Sequence, residues 1–535
     1  MTASPESHLA GPADPEHDLP ATYALDPAYV RALTSRIVST SGETVATSSP
    51  LTGQPLASIP QSSDSDIDEA FRRARVAQRA WANTSVRLRE ATLLRLHDLV
   101  LQRQDEIMDV IVWETGKARR HAFEEVLHIA LTARYYGRAS HSLLASQGVT
   151  GVFPGLTQVR VNRLPKGIVG MIAPWNYPFS LSLCDGLAAL AAGNAVVTKP
   201  DSQTMLTALL GAQLLEEAGF PTDLWKVVAG PGSRVGTAII DQADYVSFTG
   251  STATGRKIAS QCGERLIGCS LELGGKNPIL ILRDADVSRA VEGAIRATYS
   301  SAGQLCMSTE RMYVADQIYD RFVPEFVAKV AAMDLRDPMQ WSCEMGSLTS
   351  QAQLDTVTKH VEDAVSRGAR VLCGGKARPD LGPFVFEPTV LEGVTPGMTC
   401  FGEETFGPVI SIYRFHDEAE AVERANATDY GLNASVFSRD VERARAVANK
   451  SRAGSVNINE AYGATFASLA APMGGMGESG LGRRQGPEGI WRFTESQAVA
   501  AQRLLRFSPQ FGLSQERYAK VMTSSLRLMK KLGAK

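Results

Sequence analysis

Between Gly167 and Leu273 the chain alternates short apolar runs with helical stretches, and this alternation narrows the possible folds more than any other feature. It predicts strands at 168–173, 194–198, 225–229, 245–248 and 270–273, separated by helices at 180–192, 203–218, 233–241 and 254–261. Strand–helix–strand repetition of this kind gives a parallel, doubly wound α/β sheet. A second stretch of the same texture runs from about 277 to 460, with strands at 278–282 and 310–314 and helices near 286–301, 317–331, 350–367 and 417–427. It predicts a second α/β domain.

Upstream, Ser65 followed by Asp68 has the pattern of a helix start. Ile67, Ala70, Phe71, Ala74, Ala77 and Trp81 then recur at helical spacing, and helical pattern continues to about 145. In 151–165, Val159 and Val161 alternate with Arg160 and Asn162, which predicts an exposed strand or hairpin arm. Residues 1–30 are rich in Pro, Asp and Glu, have no basic-then-apolar leader pattern, and are expected to form a mobile tail. Beyond about 505, Tyr518, Val521, Met522, Met529 and Leu532 recur at helical spacing among Lys520, Arg527, Lys530 and Lys531. That amphipathic extension (505–535) is expected to dock on its own or a neighbouring subunit, with membrane-surface binding as the alternative.

Composition excludes several classes of function. At 535 residues the chain can hold two or three domains, and its formal net charge of −2 offers no basic field for nucleic acid. The longest apolar run, 187–197, is short for a membrane span and is broken by Gly193 and Asn194. The seven cysteines are scattered, odd in number and without CxxC spacing. This argues against a zinc site or a disulfide framework and for a reducing cytoplasm, so no metal is expected.

The chemistry-bearing segments follow strands. Cys306, in Gly303-Gln304-Leu305-Cys306, lies thirty-four residues after Glu272 in Leu271-Glu272-Leu273-Gly274-Gly275-Lys276. Together they offer a thiol nucleophile and a carboxylate base, the pair that acyl transfer needs. Asn176 in Pro174-Trp175-Asn176-Tyr177-Pro178 can aim amide N–H groups at a developing oxyanion, or simply bond its own loop backbone. Lys199, in Thr198-Lys199-Pro200-Asp201-Ser202, ends a strand where open α/β sheets bind ligands; the plain alternative is a solvated lysine. Gly250 and Ser251, in Phe248-Thr249-Gly250-Ser251-Thr252-Ala253-Thr254-Gly255, join a strand to a helix start that favours phosphate. Glu404, in Glu403-Glu404-Thr405-Phe406-Gly407-Pro408, can hold a ribose diol with Phe406 beside a flat ring, or form a surface acidic turn.

These segments, in this order and spacing, resemble the aldehyde dehydrogenase superfamily over about residues 40–500, and within it a succinate-semialdehyde dehydrogenase (NADP+) branch. The resemblance implies a cofactor-binding domain assembled from 31–149, 166–273 and 463–486, a catalytic domain at 274–462, and an oligomerisation arm from 150–165 and 487–504. It implies a homodimer or homotetramer acting on a small-molecule aldehyde. Cys306 is then the nucleophile that gives a thiohemiacetal and, after hydride leaves for the nicotinamide, a thioester. Asn176 and the Cys306 N–H hold the oxyanion, and Glu272 activates the hydrolytic water. Relatives that acylate coenzyme A tend to lack this base, so a free acid is the expected product; a CoA-acylating enzyme or a non-catalytic relative are the rival readings.

The resemblance also assigns the cofactor contacts. Lys199 and Ser202 fall at the adenosine ribose, Gly250 and Ser251 at the pyrophosphate, Leu273 at the nicotinamide, and Glu404 with Phe406 at its ribose; Trp175, Asn176 and Asp201 are expected among the cofactor-binding residues. Ser202 replaces the glutamate of many NAD-preferring relatives, which removes repulsion of a 2′-phosphate, so NADP is expected over NAD. On the substrate side, Cys184 and Ser300 stand where two carboxylate-binding arginines are usual, which points to an uncharged aliphatic or aromatic aldehyde. Tyr462, Phe466 and Met473 are the expected wall residues of the substrate entrance, Tyr177 is a further expected substrate residue, and Asp185 replaces a lysine that relays protons in many relatives.

Overall fold

The architecture is α/β, in a computed structural model that describes residues 9–10, 24–153, 156–502 and 506–533. The first sheet has six strands in the order Gly480–Leu481, Gly268–Glu272, Tyr245–Thr249, Ile168–Ile172, Ala195–Lys199 and Trp225–Val227. All pair in parallel except Gly480–Leu481, which returns late in the chain and pairs antiparallel, setting Gly480 opposite Glu272. Every residue of Ala195–Lys199 and Tyr245–Thr249 is buried, as expected where helices cover both faces. The crossover helix Pro178–Ala191 is itself buried along its whole length.

The second sheet has seven strands in the order Arg370–Cys373, Thr389–Glu392, Val409–Phe415, Thr309–Ala315, Asn277–Ile281, Asn433–Phe437 and Ser455–Ile458. It is parallel but for the edge strand Arg370–Cys373. Glu272 ends a strand of the first sheet and Asn277 begins one of the second, so the intervening Gly274-Gly275 crosses between them. A three-stranded antiparallel sheet, Thr494–Gln502, Thr157–Pro165 and Gln147–Thr150, is largely exposed.

Several expectations need correction. The helix after the first hairpin is Asp64–Ala82 and starts two residues earlier than Ser65 and Asp68 suggested. Ser63 accepts from the Asp66 N–H while Asp66 accepts from the Ser63 N–H, so the reciprocal cap forms one turn ahead of Ile67. Of the expected tail, residues 1–8 and 11–23 lie outside the described residues, and 27–30 open the helix Pro27–Thr34, capped by Asp26. The 487–504 arm is shorter than expected, because Gly486–Trp491 is a helix and the strand begins at Thr494. In the C-terminal helix Gln515–Lys531 no residue is fully buried, although the Tyr518 hydroxyl is shielded from solvent.

Candidate active site

The thiol is presented by a strained turn. Helix Val287–Tyr299 ends, and Ser301, Ala302 and Gly303 follow in succession with φ of 52°, 54° and 71°. For Ser301 and Ala302 this left-handed geometry costs roughly 1–3 kcal/mol each, a strain that must be held by surrounding contacts. Gln304 supplies them: its Nε2 donates to Ser301 O at 3.2 Å and Ser347 O at 3.4 Å, and its Oε1 accepts from the Thr349 N–H at 3.0 Å. A Cβ on Gly303 would sit 2.0 Å from Gly407 O, so this position has room for glycine alone. Downstream, Asn277 Nδ2 donates to Cys306 O and Ser308 O, both at 2.8 Å, which fixes the peptide that carries the nucleophile.

Around Cys306 the structure gathers the other expected catalytic groups. Asn176 is buried, and its Nδ2 donates to Gln304 O at 2.9 Å, which leaves its second N–H unspent. Lys117 Nζ, itself buried with Glu125, donates to Asn176 O at 2.6 Å and holds that residue from behind. Burial pushes the Cys306 thiol up to about 12, a rise increased by the Glu272 and Glu404 charges and opposed by Arg484. Glu272 is 4% exposed, and its Oε1 has no hydrogen-bond partner among the described residues. Burial lifts its carboxyl to about 7, against the pull of the Arg484 guanidinium. A carboxyl poised near neutrality with a free oxygen is what a general base needs.

The cofactor-side residues line up at the carboxyl ends of the first sheet's strands. Lys199 is buried and not solvated as its plain alternative supposed; Nζ donates to Pro200 O at 3.0 Å, and burial lowers its pKa. Asp201 caps the following turn by accepting from the Gln203 N–H, and Ser202 opens that turn, partly exposed. Ser251 caps the helix Thr252–Glu264, whose first amides point at the Gly250-Ser251 loop. Leu273 packs against Gly255. Glu404 is no surface turn: it accepts from the Gly275 N–H at 2.8 Å, and its Oε2 would lie 2.4 Å from a Cβ on Gly274. Burial and the neighbouring Glu310 charge raise its carboxyl to about 8. Phe406, at φ 52°, meets Trp175 edge-on with centroids 5.6 Å apart. The helix start, the glycine-lined floor and the half-satisfied carboxylate of Glu404 fit a dinucleotide.

Sequence reasoning missed the supports of this turn. Glu310 accepts from the Thr405 N–H at 3.0 and 2.9 Å and from the Phe406 N–H at 3.0 Å, and it pairs with buried Lys276. The signal available was a charged dyad, Glu310-Arg311, inside an otherwise apolar strand.

The expected substrate residues divide. Tyr462 and Phe466 line a cavity of about 330 Å³ together with Glu124, His128, Arg296 and Glu460. Tyr177 reaches the same place through Glu124, to whose Oε2 its hydroxyl donates at 3.1 Å. Ser300 is buried, with Oγ donating to Arg296 O at 2.7 Å, and borders a cavity of about 500 Å³ that shares Glu124 and Arg296 with the first and adds Arg120 and Lys329. Cys184 and Met473 are not wall residues of the 330 Å³ cavity. Cys184 lies in the core with its Sγ 3.8 Å from Asp185 Oδ1, and Met473 is bound by its backbone to Arg484. Asp185 is clamped between Arg484 at 3.1 Å and Arg492 at 2.5 Å and accepts from Ser247 Oγ at 2.8 Å.

Comparison with known proteins places this arrangement. A family profile described as "Aldehyde dehydrogenase family" matches residues 37–499. A Mycolicibacterium smegmatis protein named "Putative succinate-semialdehyde dehydrogenase (NADP+)" is 49% identical over 514 residues, covering 96% of this chain and 99% of that protein. Among solved structures, a point variant of aldehyde dehydrogenase from Bacillus cereus superposes with a TM-score of 0.84 at 34% identity, covering 89% of this chain and 99% of that one. Betaine aldehyde dehydrogenase from Staphylococcus aureus, in complex with NAD+, does so at 0.83 and 29% identity, covering 90% and 100%.

Proposed function

Because the chain belongs to the aldehyde dehydrogenase family, we propose that it oxidises an aldehyde to the free carboxylic acid, with NADP as acceptor and Cys306 as covalent nucleophile. The observation that carries this reading is Glu272, a buried carboxyl near neutrality with an unpartnered oxygen, whose charge acts on the Cys306 thiol.

The thiol is neutral at rest, so its attack on the aldehyde carbon requires a proton acceptor, and Glu272 can take that proton at neutral pH. As the sulfur–carbon bond forms, negative charge gathers on the carbonyl oxygen, where the second N–H of Asn176 and the Cys306 N–H donate. A nicotinamide cofactor, when bound, supplies the two-electron acceptor that turns the thiohemiacetal into a thioester. Glu272 releases the thiol's proton to solvent and then takes a proton from water as its oxygen adds to the thioester carbon, and this second proton is the one it returns to the thiol. The carbon–sulfur bond breaks, the acid leaves and the thiol regains its proton.

Lys199, Asp201, Ser202, Gly250, Ser251, Leu273, Trp175, Glu404 and Phe406 would hold the cofactor. Serine at 202, three residues after Lys199, supports NADP over NAD, in line with the name of the M. smegmatis relative and in contrast to the NAD+ of the S. aureus one. The segments 31–149, 166–273 and 463–486 are assigned to the cofactor domain, 274–462 to the catalytic domain, and the exposed three-stranded sheet to pairing of subunits in a homodimer or homotetramer. Neither Cys184 nor Ser300 can fork a carboxylate, so aldehydes without a distal carboxylate are assigned as better substrates than succinate semialdehyde.

The test is the initial rate of absorbance rise at 340 nm with hexanal, benzaldehyde and succinate semialdehyde, each with NADP and NAD, with products analysed with and without coenzyme A. A free acid formed faster with NADP is expected. An acyl-CoA product, or a large preference for succinate semialdehyde, would overturn the reading.

A further inference from the structure

The 330 Å³ cavity carries a charge that the neutral-aldehyde expectation leaves unexplained. Its wall comes from the helix Arg119–Leu143, which supplies Glu124 and His128, and from the short helix Gly463–Phe466 with Tyr462 before it. It adjoins the catalytic loop, because Tyr177 follows Asn176 directly and its hydroxyl reaches Glu124. Tyr462 Oη donates to both Glu124 oxygens at 2.9 Å. Glu124 therefore has only tyrosine hydroxyls as donors, and no ion pair is formed with it among the described residues.

The one cation on this wall is already engaged. Arg296 Nη1 lies 3.2 Å from Glu460 Oε1, and its guanidinium stands over the Tyr462 ring at 5.5 Å from the centroid. Two carboxylates against one guanidinium leave the wall with an excess of one negative charge. His128 adds nothing, since burial pushes its imidazole down to about 3. The rest of the wall is aromatic: Phe466 stacks on His128 with centroids 4.2 Å apart, beside Tyr462. Burial raises the Glu124 carboxyl, against the tyrosine hydrogen bonds and the charges of Arg296 and Lys117, each of which is itself paired with another acid. A wall with a net negative charge between aromatic rings attracts organic cations.

Resting on the aldehyde-oxidising reading above, we propose that this cavity receives the positively charged end of an amino or quaternary-ammonium aldehyde, with Glu124 as its counter-charge and the Tyr462 and Phe466 rings as its walls. The same arrangement repels an aldehyde with a distal carboxylate, and it selects a cation over a neutral chain of equal length.

The full-length enzyme is assayed for kcat/KM with 4-(trimethylammonio)butanal, butanal and succinate semialdehyde, as wild type, as Glu124→Gln and as Arg296→Gln. Thermal melts check that each variant is folded. In the wild type the cationic aldehyde is expected to exceed butanal at least tenfold, mostly through KM. Glu124→Gln should cut that ratio at least tenfold, whereas Arg296→Gln should raise it. A cationic aldehyde no better than butanal, or a ratio untouched in both variants, overturns the proposal while leaving aldehyde oxidation standing. Preference for succinate semialdehyde that disappears in Arg296→Gln also overturns it and makes Arg296 the anchor of a distal carboxylate. If none of the three aldehydes is oxidised with either cofactor, it is the aldehyde-oxidising reading itself that falls.

Discussion

Asp185→Asn tests the electrostatics behind the general base. Asp185 is 4% exposed, and its two oxygens face Arg484 and Arg492, whose side chains are 5% and 9% exposed. Asparagine keeps the shape but removes the charge and turns one acceptor into an N–H that faces a guanidinium donor. Two buried cations then share no counter-ion, because Arg484 Nη2 has otherwise only Thr249 Oγ1, at 2.9 Å. Removing one partner of a buried ion pair costs about 3–5 kcal/mol, and solvent screening gives no discount at this depth. For a large domain this corresponds to a fall in melting temperature of roughly 5–15 °C, read by differential scanning fluorimetry. Burial alone would raise the Asp185 carboxyl, but the guanidiniums of Arg484 and Arg492 and the Ser247 hydroxyl hold it well below its ordinary range. Its contribution is therefore fully present above the unfolded value and is lost as pH falls through the folded one, so wild type and variant should converge in strong acid. A second readout is independent of stability. The Asp185 charge helps raise Glu272, so its loss should move the acid limb of the kcat profile to lower pH. A melting temperature within about 2 °C of wild type, or an acid limb displaced to higher pH, would refute the reasoning.

Glu272→Gln should lower kcat by about 10²–10⁴-fold and also slow the pre-steady-state burst of reduced cofactor, because Glu272 takes the thiol proton before the thioester forms and activates the water that hydrolyses it. In the wild type, where hydrolysis limits turnover, kcat should rise with pH through about 7 as Glu272 ionises; a flat profile would remove Glu272 as the base. Ser202→Glu should reduce the NADP-to-NAD ratio of kcat/KM by roughly tenfold or more, through repulsion of the 2′-phosphate; an unchanged ratio would unseat Ser202. Gly303→Ala should abolish activity, since the new methyl meets the Gly407 carbonyl at 2.0 Å, and full activity would mean the Cys306 turn is not held as described.

How much of this was legible in the sequence depends on how local the cause is. The five parallel strands of the first sheet fall within a residue or two of where the apolar runs put them, because each run is bounded by its own helix or glycine, whereas the antiparallel edge strand Gly480–Leu481 has no apolar run to mark it. The helix start at Ser63 was misplaced by two residues, since Ser63 and Ser65 both offer a hydroxyl and the choice rests on Asp66 also binding Thr40 at 2.7 Å. No local rule contains that contact. The catalytic residues were equally local in origin: Glu272 ends a strand, Asn176 lies in the loop after one, and Cys306 follows a turn that Gly303 marks. Their chemistry is less local. What lifts Glu272 toward neutrality is burial balanced against Arg484, which arrives from more than two hundred residues away.

The substrate wall shows the same limit more sharply. Cys184 was placed on the substrate side by the resemblance alone; helix Pro178–Ala191 is buried on every face, so its burial does not say which face meets the thiol. Glu124 drew no attention, although Glu124-Glu125 is an acidic pair within a helix whose neighbours are mostly buried. The two acids part company in the fold. Glu125 turns inward to Lys117 and stiffens the Asn176 peptide, whereas Glu124 turns to the tyrosines at the cavity. Adjacent residues on a helix lie about 100° apart, so one can serve the reaction's scaffold while the other faces the substrate. Losing the first should then damage turnover with every aldehyde, and losing the second should alter which aldehyde is chosen.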